Sequence, residues 1–495
     1  MTSKESIINS FIWVSVERIS TIGLLFIGTI VLAHFLSPSA FGLVGILTIF
    51  TAISMMLIDS GMGGSLIKEK NVSESDYSTL FIYNVGISII IYLILYFSSG
   101  YVAELYCLPE LKDLLRILSL TIIFNAVSIV QRIKLTRSFD FKVMCIITVI
   151  SMLFAILISI LLAYKSFGVW ALIMQQVLQS LFNSLFYFIY VRFIPSFVFD
   201  RKSFRKHFAF GANLMCATLI NTVNTNISSS IIGKFFSLQQ TGFFAQSNKL
   251  YTMPTNIVSS IVDKAVFPIL SKKNDLNEII STISMLSRNI YLITFPLFSI
   301  VIVLSSPIIV TFLGDEWQEA AWILSILCCG GIPLVVKLML RNALKTLGET
   351  YCIFKCEFIC FIIGLVILLV SASISFRAII WGVVCNNIIL MIAFMIAISK
   401  KINYSIKMQV CNILPFLLCS IVASIMLFFV MHMIETSMQP VFVLLIGLFL
   451  GVILVVLSYV AIMNREALNL IHRLFAYLRS VSYTHLRAHE TLRHL

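Results

Sequence analysis

The chain has 495 residues, of which 59% are hydrophobic and 12% charged, with a formal net charge of +13 and a mean hydropathy of +1.02. Soluble domains are about half apolar and a quarter charged, so these values exclude an ordinary globular protein and predict an all-α chain that crosses a membrane many times. The basic excess is scattered over short connections and forms no patch, which argues against a nucleic-acid partner.

At the N-terminus "MTSKESIINS" leads straight into the first apolar run, without the short h-region and cleavage site of a signal peptide. Hydropathy and helix length give about fourteen spans. The first, Ser10–Phe35, carries Glu17 and Arg18 side by side. Ionisable groups at membrane depth normally face protein or a wet cavity. Adjacent residues point about 100° apart on a helix, so these two need not pair with each other. The second span, Ala40–Ile67, has Asp59 toward its end. Spans three to six are Tyr77–Ser99, Leu111–Ile133, Phe141–Tyr164 and Gly168–Val191; in the fourth, Arg116 is close enough to an end to snorkel.

The seventh span, Phe208–Ile232, places Asn213, Ala217, Asn221, Asn224 and Ser228 at steps of three and four, which makes one small, polar stripe. Lipid does not tolerate unsatisfied amides, so the stripe lines a cavity or glues helices together. The eighth, Thr241–Val262, continues the polarity with Gln246, Asn248, Lys249, Thr252 and Asn256, and is followed by Asp263. At ~1.5 Å per residue Lys249 lies about 12 Å into the bilayer. Span nine is Ser284–Phe312; span ten, Glu319–Leu340, holds Lys337 one turn before Arg341. Span eleven, Tyr351–Ser371, carries Lys355 and Glu357 at snorkelling depth. Cys352, Cys356 and Cys360 share a face there without His or carboxylate at zinc spacing, so no metal site is expected. Ala378–Ile398, Val410–His432 and Val441–Met463 complete the spans.

From about Ser480 the text turns polar: "SVSYTHLRAHETLRHL". His485 and His489 stand at i, i+4, but the string resembles a translated sequencing adapter and is set aside as non-native, with the true C-terminus expected to be missing.

Lys and Arg cluster in the even-numbered connections, among them Lys68, Lys70, Arg132, Lys134, Arg137, Lys142, Arg201, Arg205, Lys272, Lys273, Lys400 and Lys401, with Lys4, Arg465, Arg473 and Arg479 in the terminal segments. The odd-numbered ones hold Lys112, Lys165, Lys234 and Arg377, with acids such as Glu104, Asp315 and Glu316. This is the positive-inside pattern and predicts both termini in the cytoplasm. No GxxxxGK[ST] phosphate loop is present, and no cofactor is expected.

The chain also repeats itself. "LSPSAFGLV" from Leu36 matches "FSLQQTGFF" from Phe236, aligning Ser37 with Ser237 and Gly42 with Gly242. "LIDSGMGGSLIKEKN" from Leu57 faces "IVDKAVFPILSKKND" from Ile261, and "LLRILSLTII" from Leu114 faces "AAWILSILCC" from Ala320. All three recur at about two hundred residues, or six helices, which describes parallel repeats about an axis along the membrane normal. Residues 1–207 and 208–407 are thus predicted to form two pseudo-symmetric six-helix lobes around a central cavity, with residues 408–479 as an additional helix pair. Arg18, Lys249, Lys337 and Arg341, with Asn221 and Asn224, are the candidate cavity residues; their excess positive charge suits an anionic headgroup, phosphate above all. Glu17, Asp59 and Asp263 are candidates for coupling or gating; for the two aspartates, helix-end or inter-lobe pairing is an equal explanation.

The stretches "ERIS", "GTIVLAHFLSPSAFG", "FGLVGILTIFTAISMMLIDSGMGGSLI", "KLYTMPTNIVSSIVDKAVFPILSKKND" and "FPLFSIVIVLSSPIIVTFLGDEWQEAAWILSIL" resemble the polysaccharide transporter family, the Wzx-type flippases of the multidrug/oligosaccharidyl-lipid/polysaccharide superfamily. The resemblance runs from Met1 to about Arg479. It implies the fold shared by MATE exporters and the flippase MurJ. It also implies passage of an undecaprenyl-diphosphate-linked oligosaccharide across the bacterial inner membrane for O-antigen, capsule or exopolysaccharide synthesis, beside a polymerase and chain-length regulator. The chain departs from the family in "AHFLSP", where His34 stands in place of the arginine common near that span end, which weakens an exit-side phosphate contact. The alternative within the superfamily is a MATE-like small-molecule exporter, although a cation exporter wants acids in its lumen. A membrane enzyme would need a loop bearing catalytic residues, and none is evident, so the chain is read as a non-enzyme.

Overall fold

The computed structural model describes residues 3–59, 62–69, 71–193, 195–196, 198–270, 273, 275–434 and 438–462. The side chains of Lys4, Asn213 and Ala217, and Lys70, Lys272, Arg465, Arg473, Arg479 and the 480–495 tail, lie outside the described residues. Among the described residues all regular structure is helical.

In chain order the helices are α1 (Ser3–Phe35), α2 (Pro38–Asp59), α3 (Met62–Lys68), α4 (Glu74–Tyr106), α5 (Leu111–Leu118), α6 (Leu120–Arg137), α7 (Phe141–Tyr164), α8 (Val169–Val191), α9 (Arg201–Phe235) and α10 (Leu238–Ile261). A π-helical turn, Val262–Val266, leads into α11 (Phe267–Leu270). Then follow α12 (Leu276–Val303), α13 (Ser305–Leu313), α14 (Ala320–Cys329), α15 (Gly331–Thr346), α16 (Thr350–Ile374), α17 (Phe376–Lys401), α18 (Ile406–Ile434) and α19 (Pro440–Ile462). Among the described residues twelve spans are long and apolar enough to cross a membrane, so the protein is a multi-pass membrane protein. The predicted count of about fourteen differs at the seventh and eighth spans. These form as α9 and α10, 35 and 24 residues long, but Asn221, Asn224, Asn226, Gln246, Asn248 and Lys249 leave them less apolar than the other twelve.

Short polar signals set where helices begin. Ser73 and Asp76 form a capping box on α4, and Ser237 and Gln240 make the same reciprocal pair on α10, each bond 3.2 Å. The matched fourth and tenth spans are both interrupted, at Ser119 between α5 and α6 and at Gly330 between α14 and α15. A Cβ on Gly331 would strike the Phe298 ring, so that position is held to glycine by close packing.

Contacts divide the described residues into two compact units. The first comprises those of Met1–Lys249, Phe312–Ala320 and Glu357–Val383. Helix α7 shows how it is packed. Its inward face repeats small residues every fourth position, Ser151, Ala155, Ser159 and Ala163, while Leu153, Phe154, Leu157 and Leu161 point outward. That inversion of the soluble pattern follows from the solvent: lipid rewards no apolar burial, so helices associate by close approach and hydrogen bonds. The Ser159 hydroxyl donates to the Ala171 carbonyl of α8 at 2.7 Å. Trp317 is fully buried in the same unit; its Nε1 donates to the Ala33 carbonyl at 3.3 Å and its ring meets Phe41 and Phe243 edge-on.

In this unit α2 and α10 cross at their repeat-matched glycines. A Cβ on Gly42 would collide with the Leu238 carbonyl, one on Gly242 with the Pro38 carbonyl, and each would lie 3.2 Å from the other glycine's nitrogen. The contact is reciprocal, and only glycine lets the two backbones pass so closely.

The connector into α9 is stitched to α4. The Ser196 hydroxyl donates to Ser78 Oγ at 2.9 Å, Asp200 N–H to Thr79 Oγ1 at 2.9 Å and the Ser203 hydroxyl to Asp76 Oδ1 at 2.5 Å. His207, 2% exposed, shares a 2.8 Å hydrogen bond with Ser65 of α3. Burial holds the His207 imidazole below its ordinary pKa, with the Asp76 carboxylate, 4.0 Å away, pulling the other way.

The second unit comprises the described residues of Leu250–Thr311, Ala321–Cys356 and Val384–Leu495. Here α12 packs against α18 and α15. Tyr291, Phe295, Phe298 and Phe416 are buried, with Tyr291 stacked on Phe295 at 4.9 Å. Gly447 and Gly451 admit Leu304 and Ile300 against α19.

Candidate functional site

In the first unit Lys249, on α10, is half-buried and donates from Nζ to Thr29 Oγ1 on α1 at 2.5 Å. The Thr29 hydroxyl in turn donates to the Leu25 carbonyl at 2.6 Å. The cation predicted at membrane depth is thus held by a neutral hydroxyl that itself has somewhere to send its proton. Glu17 is half-buried and Arg18 exposed; neither makes an ion pair within 4.0 Å among the described residues. Asn221 is exposed and Asn224 half-buried on α9. His34 is exposed and turns its Nδ1 back onto the Ile30 carbonyl at 2.8 Å.

The same unit contains a cavity of about 530 Å³ between α2, α3, α6 and α7. Asp59 reaches it from the end of α2. Helix α6 contributes Asn125, Ile129, Arg132, Ile133 and Thr136, which the helical repeat brings to one face. Met55, Met56 and Met144 supply adaptable apolar wall. Behind it, Asn125 donates to Ser180 of α8 at 3.0 Å. The Tyr187 hydroxyl lies 3.4 Å from Thr148, within electrostatic reach of both Arg132 and Glu17. A guanidinium, a carboxylate, an amide and a hydroxyl therefore converge on one hollow, a set able to hold a phosphate beside sugar hydroxyls.

Lys337, Arg341 and Asp263 belong to the second unit. Lys337 and Arg341 are half-buried one turn apart on α15. Asp263 accepts a hydrogen bond from Asn342 Nδ2 at 3.0 Å, and Asn342 is fully buried. Of the two repeat-matched aspartates, Asp263 ties its helix end down while Asp59 opens onto the cavity. Arg132 is the residue that the sequence presented only as one more basic residue of a connection. The signal was its spacing of seven from Asn125 and four from Thr136. Among the described residues no group of three or more His, Cys, Asp or Glu is arranged to hold a metal.

Comparison with known proteins follows the same lines. The chain is 27% identical over 289 residues to the teichuronic acid biosynthesis protein TuaB of Bacillus subtilis, which covers 58% of this chain and 60% of that one. It is 24% identical over 339 residues to the lipopolysaccharide biosynthesis protein WzxC of Escherichia coli, covering 67% and 68%. The fold matches that of the lipid II flippase MurJ with a TM-score of 0.74 at 17% identity, over 93% of this chain and 100% of that one. A family model described as polysaccharide biosynthesis protein matches residues 31–322, more than half of the chain. The chain belongs to this polysaccharide biosynthesis protein family, in the MurJ-like membrane fold.

Proposed function

We propose that this protein is a flippase that carries an undecaprenyl-diphosphate-linked oligosaccharide from the cytoplasmic to the periplasmic leaflet of the bacterial inner membrane. The lobes 1–207 and 208–407 would expose the cargo alternately, both termini lying in the cytoplasm. The observation that carries this reading is Lys249. A cation at span depth is costly, and the Lys249 ammonium stands there on the Thr29 hydroxyl, a placement that suits an anionic headgroup. The relatives named for teichuronic acid and lipopolysaccharide biosynthesis support the same cargo class. A small-cation exporter would need acids where this chain carries Lys249 and Arg18.

The test is complementation of a flippase-null strain by variants expressed at the normal level. Lys249→Gln and Arg18→Gln are expected to leave surface polysaccharide strongly reduced. Full restoration by both variants refutes the assignment.

A further inference from the structure

Helix α6 ends in three cations, and two of them are used by the fold. Lys134 pairs with Glu74 at 2.9 Å and lies over the rings of Tyr77 and Phe193. Arg137 donates to the carbonyls of Leu66 and Glu69, fastening α3. The Arg132 guanidinium, by contrast, has no hydrogen-bond or ion-pair partner among the described residues, and neither has the Asp59 carboxylate. Both face the 530 Å³ cavity, and they do not pair with each other. Two opposite charges that share a wall and stay apart leave room for a ligand that meets both. Gly64, on the same wall, points a bare backbone with nothing within 4 Å of a Cβ built on it.

We propose that this cavity is the subsite for the phosphate-proximal part of the cargo: Arg132 takes a phosphate oxygen pair, and Asp59 and Asn125 take hydroxyl or amide groups of the first sugar. The inference rests on the flippase reading and adds a location within the first unit. A guanidinium fork suits phosphate geometry, whereas a carboxylate repels phosphate and accepts from sugar hydroxyls. Asp59 therefore serves as the discriminator: it favours a diphosphate that carries a sugar over one that does not. The volume is that of a small-ligand site, so the distal sugars of a repeat unit extend beyond it.

The experiment uses the full chain in lipid nanodiscs and three probes: a short polyprenyl diphosphate bearing one N-acetylhexosamine, the same lipid without sugar, and inorganic pyrophosphate. The intact protein is expected to prefer the sugar-bearing probe. Arg132→Gln should weaken it about tenfold or more, the scale of a lost charge-assisted contact, and Arg132→Lys should recover part of the loss. Asp59→Ala should weaken the sugar-bearing probe and strengthen the bare one. Gly64→Leu puts a side chain into the cavity from a position where a Cβ meets nothing within 4 Å; with the melting temperature of the intact protein retained, it should block binding of the sugar-bearing probe. If Arg132→Gln and Gly64→Leu bind that probe as the intact protein does, the subsite is overturned while the flippase reading stands. If the intact protein binds neither lipid better than pyrophosphate, both fall.

Discussion

Lys249 and Arg132 are both cations of a membrane chain, yet the sequence yields them unequally. Lys249 falls deep in the predicted eighth span, where an ammonium requires an explanation, and that position alone makes it a candidate site residue. Arg132 stands near a span end among other basic residues, where orientation of the chain accounts for it. Separating Arg132 from Lys134 and Arg137 takes the partners of the latter two, Glu74 at the start of α4 and the Leu66 and Glu69 carbonyls at the end of α3. Thr29 was likewise invisible, because a threonine on an apolar helix bonds its own backbone by default. Its role predicts a graded pair of outcomes. Thr29→Val, which removes one neutral hydrogen bond, should lower thermal stability in detergent by about 1 kcal/mol. Thr29→Ser, which keeps the acceptor, should remain within about half of that cost.

At the level of helices, apolar runs announced most elements and missed their interruptions. The spans from Leu111 and from Glu319 read as continuous, but each is two helices that meet at a break, Ser119 in one and Gly330 in the other. Hydropathy sums over such a break and does not register it. The crossing of α2 and α10 was legible only as matched words around Gly42 and Gly242; that those words touch is a property of the fold. Gly42→Ala and Gly242→Ala should each cost about 1–3 kcal/mol, the usual range for overpacking, because the new methyl meets backbone that cannot swing aside. Gly64→Ala, with open space around it, should cost far less by the same thermal measurement.

The joint between α3 and α9 adds a dependence on pH. The folded state keeps His207 neutral below its ordinary pKa, so the unfolded chain takes up the proton first. The stabilisation is complete above the unfolded value of about 6.5 and is lost as pH falls from there through the folded pKa. Melting curves between pH 7.5 and 5.5 should therefore shift downward in the intact protein, and the shift should shrink in His207→Gln. An equal shift in both removes His207 as its source.

Across the whole molecule, charge asymmetry and repetition carried the reading of a two-lobed transporter, because both are long-range properties that survive in a bare string of letters. Beyond α17 the chain continues in two further helices, α18 from Ile406 to Ile434 and α19 from Pro440 to Ile462. The orientation is open to direct test. A fluorescent protein fused after residue 462 should fold and fluoresce, and alkaline phosphatase at the same point should stay inactive, since one needs the cytoplasm and the other the periplasm. Exchanging the basic residues of the first two even-numbered connections for glutamine should produce a mixed population.

The glycine crossing also constrains how the chain can change over time. Helix α2 offers α10 the same notch that α10 offers α2, which is the isologous geometry through which two identical subunits meet about a two-fold axis. Gly42 is therefore vetoed by the backbone at 238, and Gly242 by the backbone at 38. Neither position can gain a side chain until the opposite strand of chain retreats, so drift at this point must proceed by paired steps, and a lone substitution in either copy is selected against from the other.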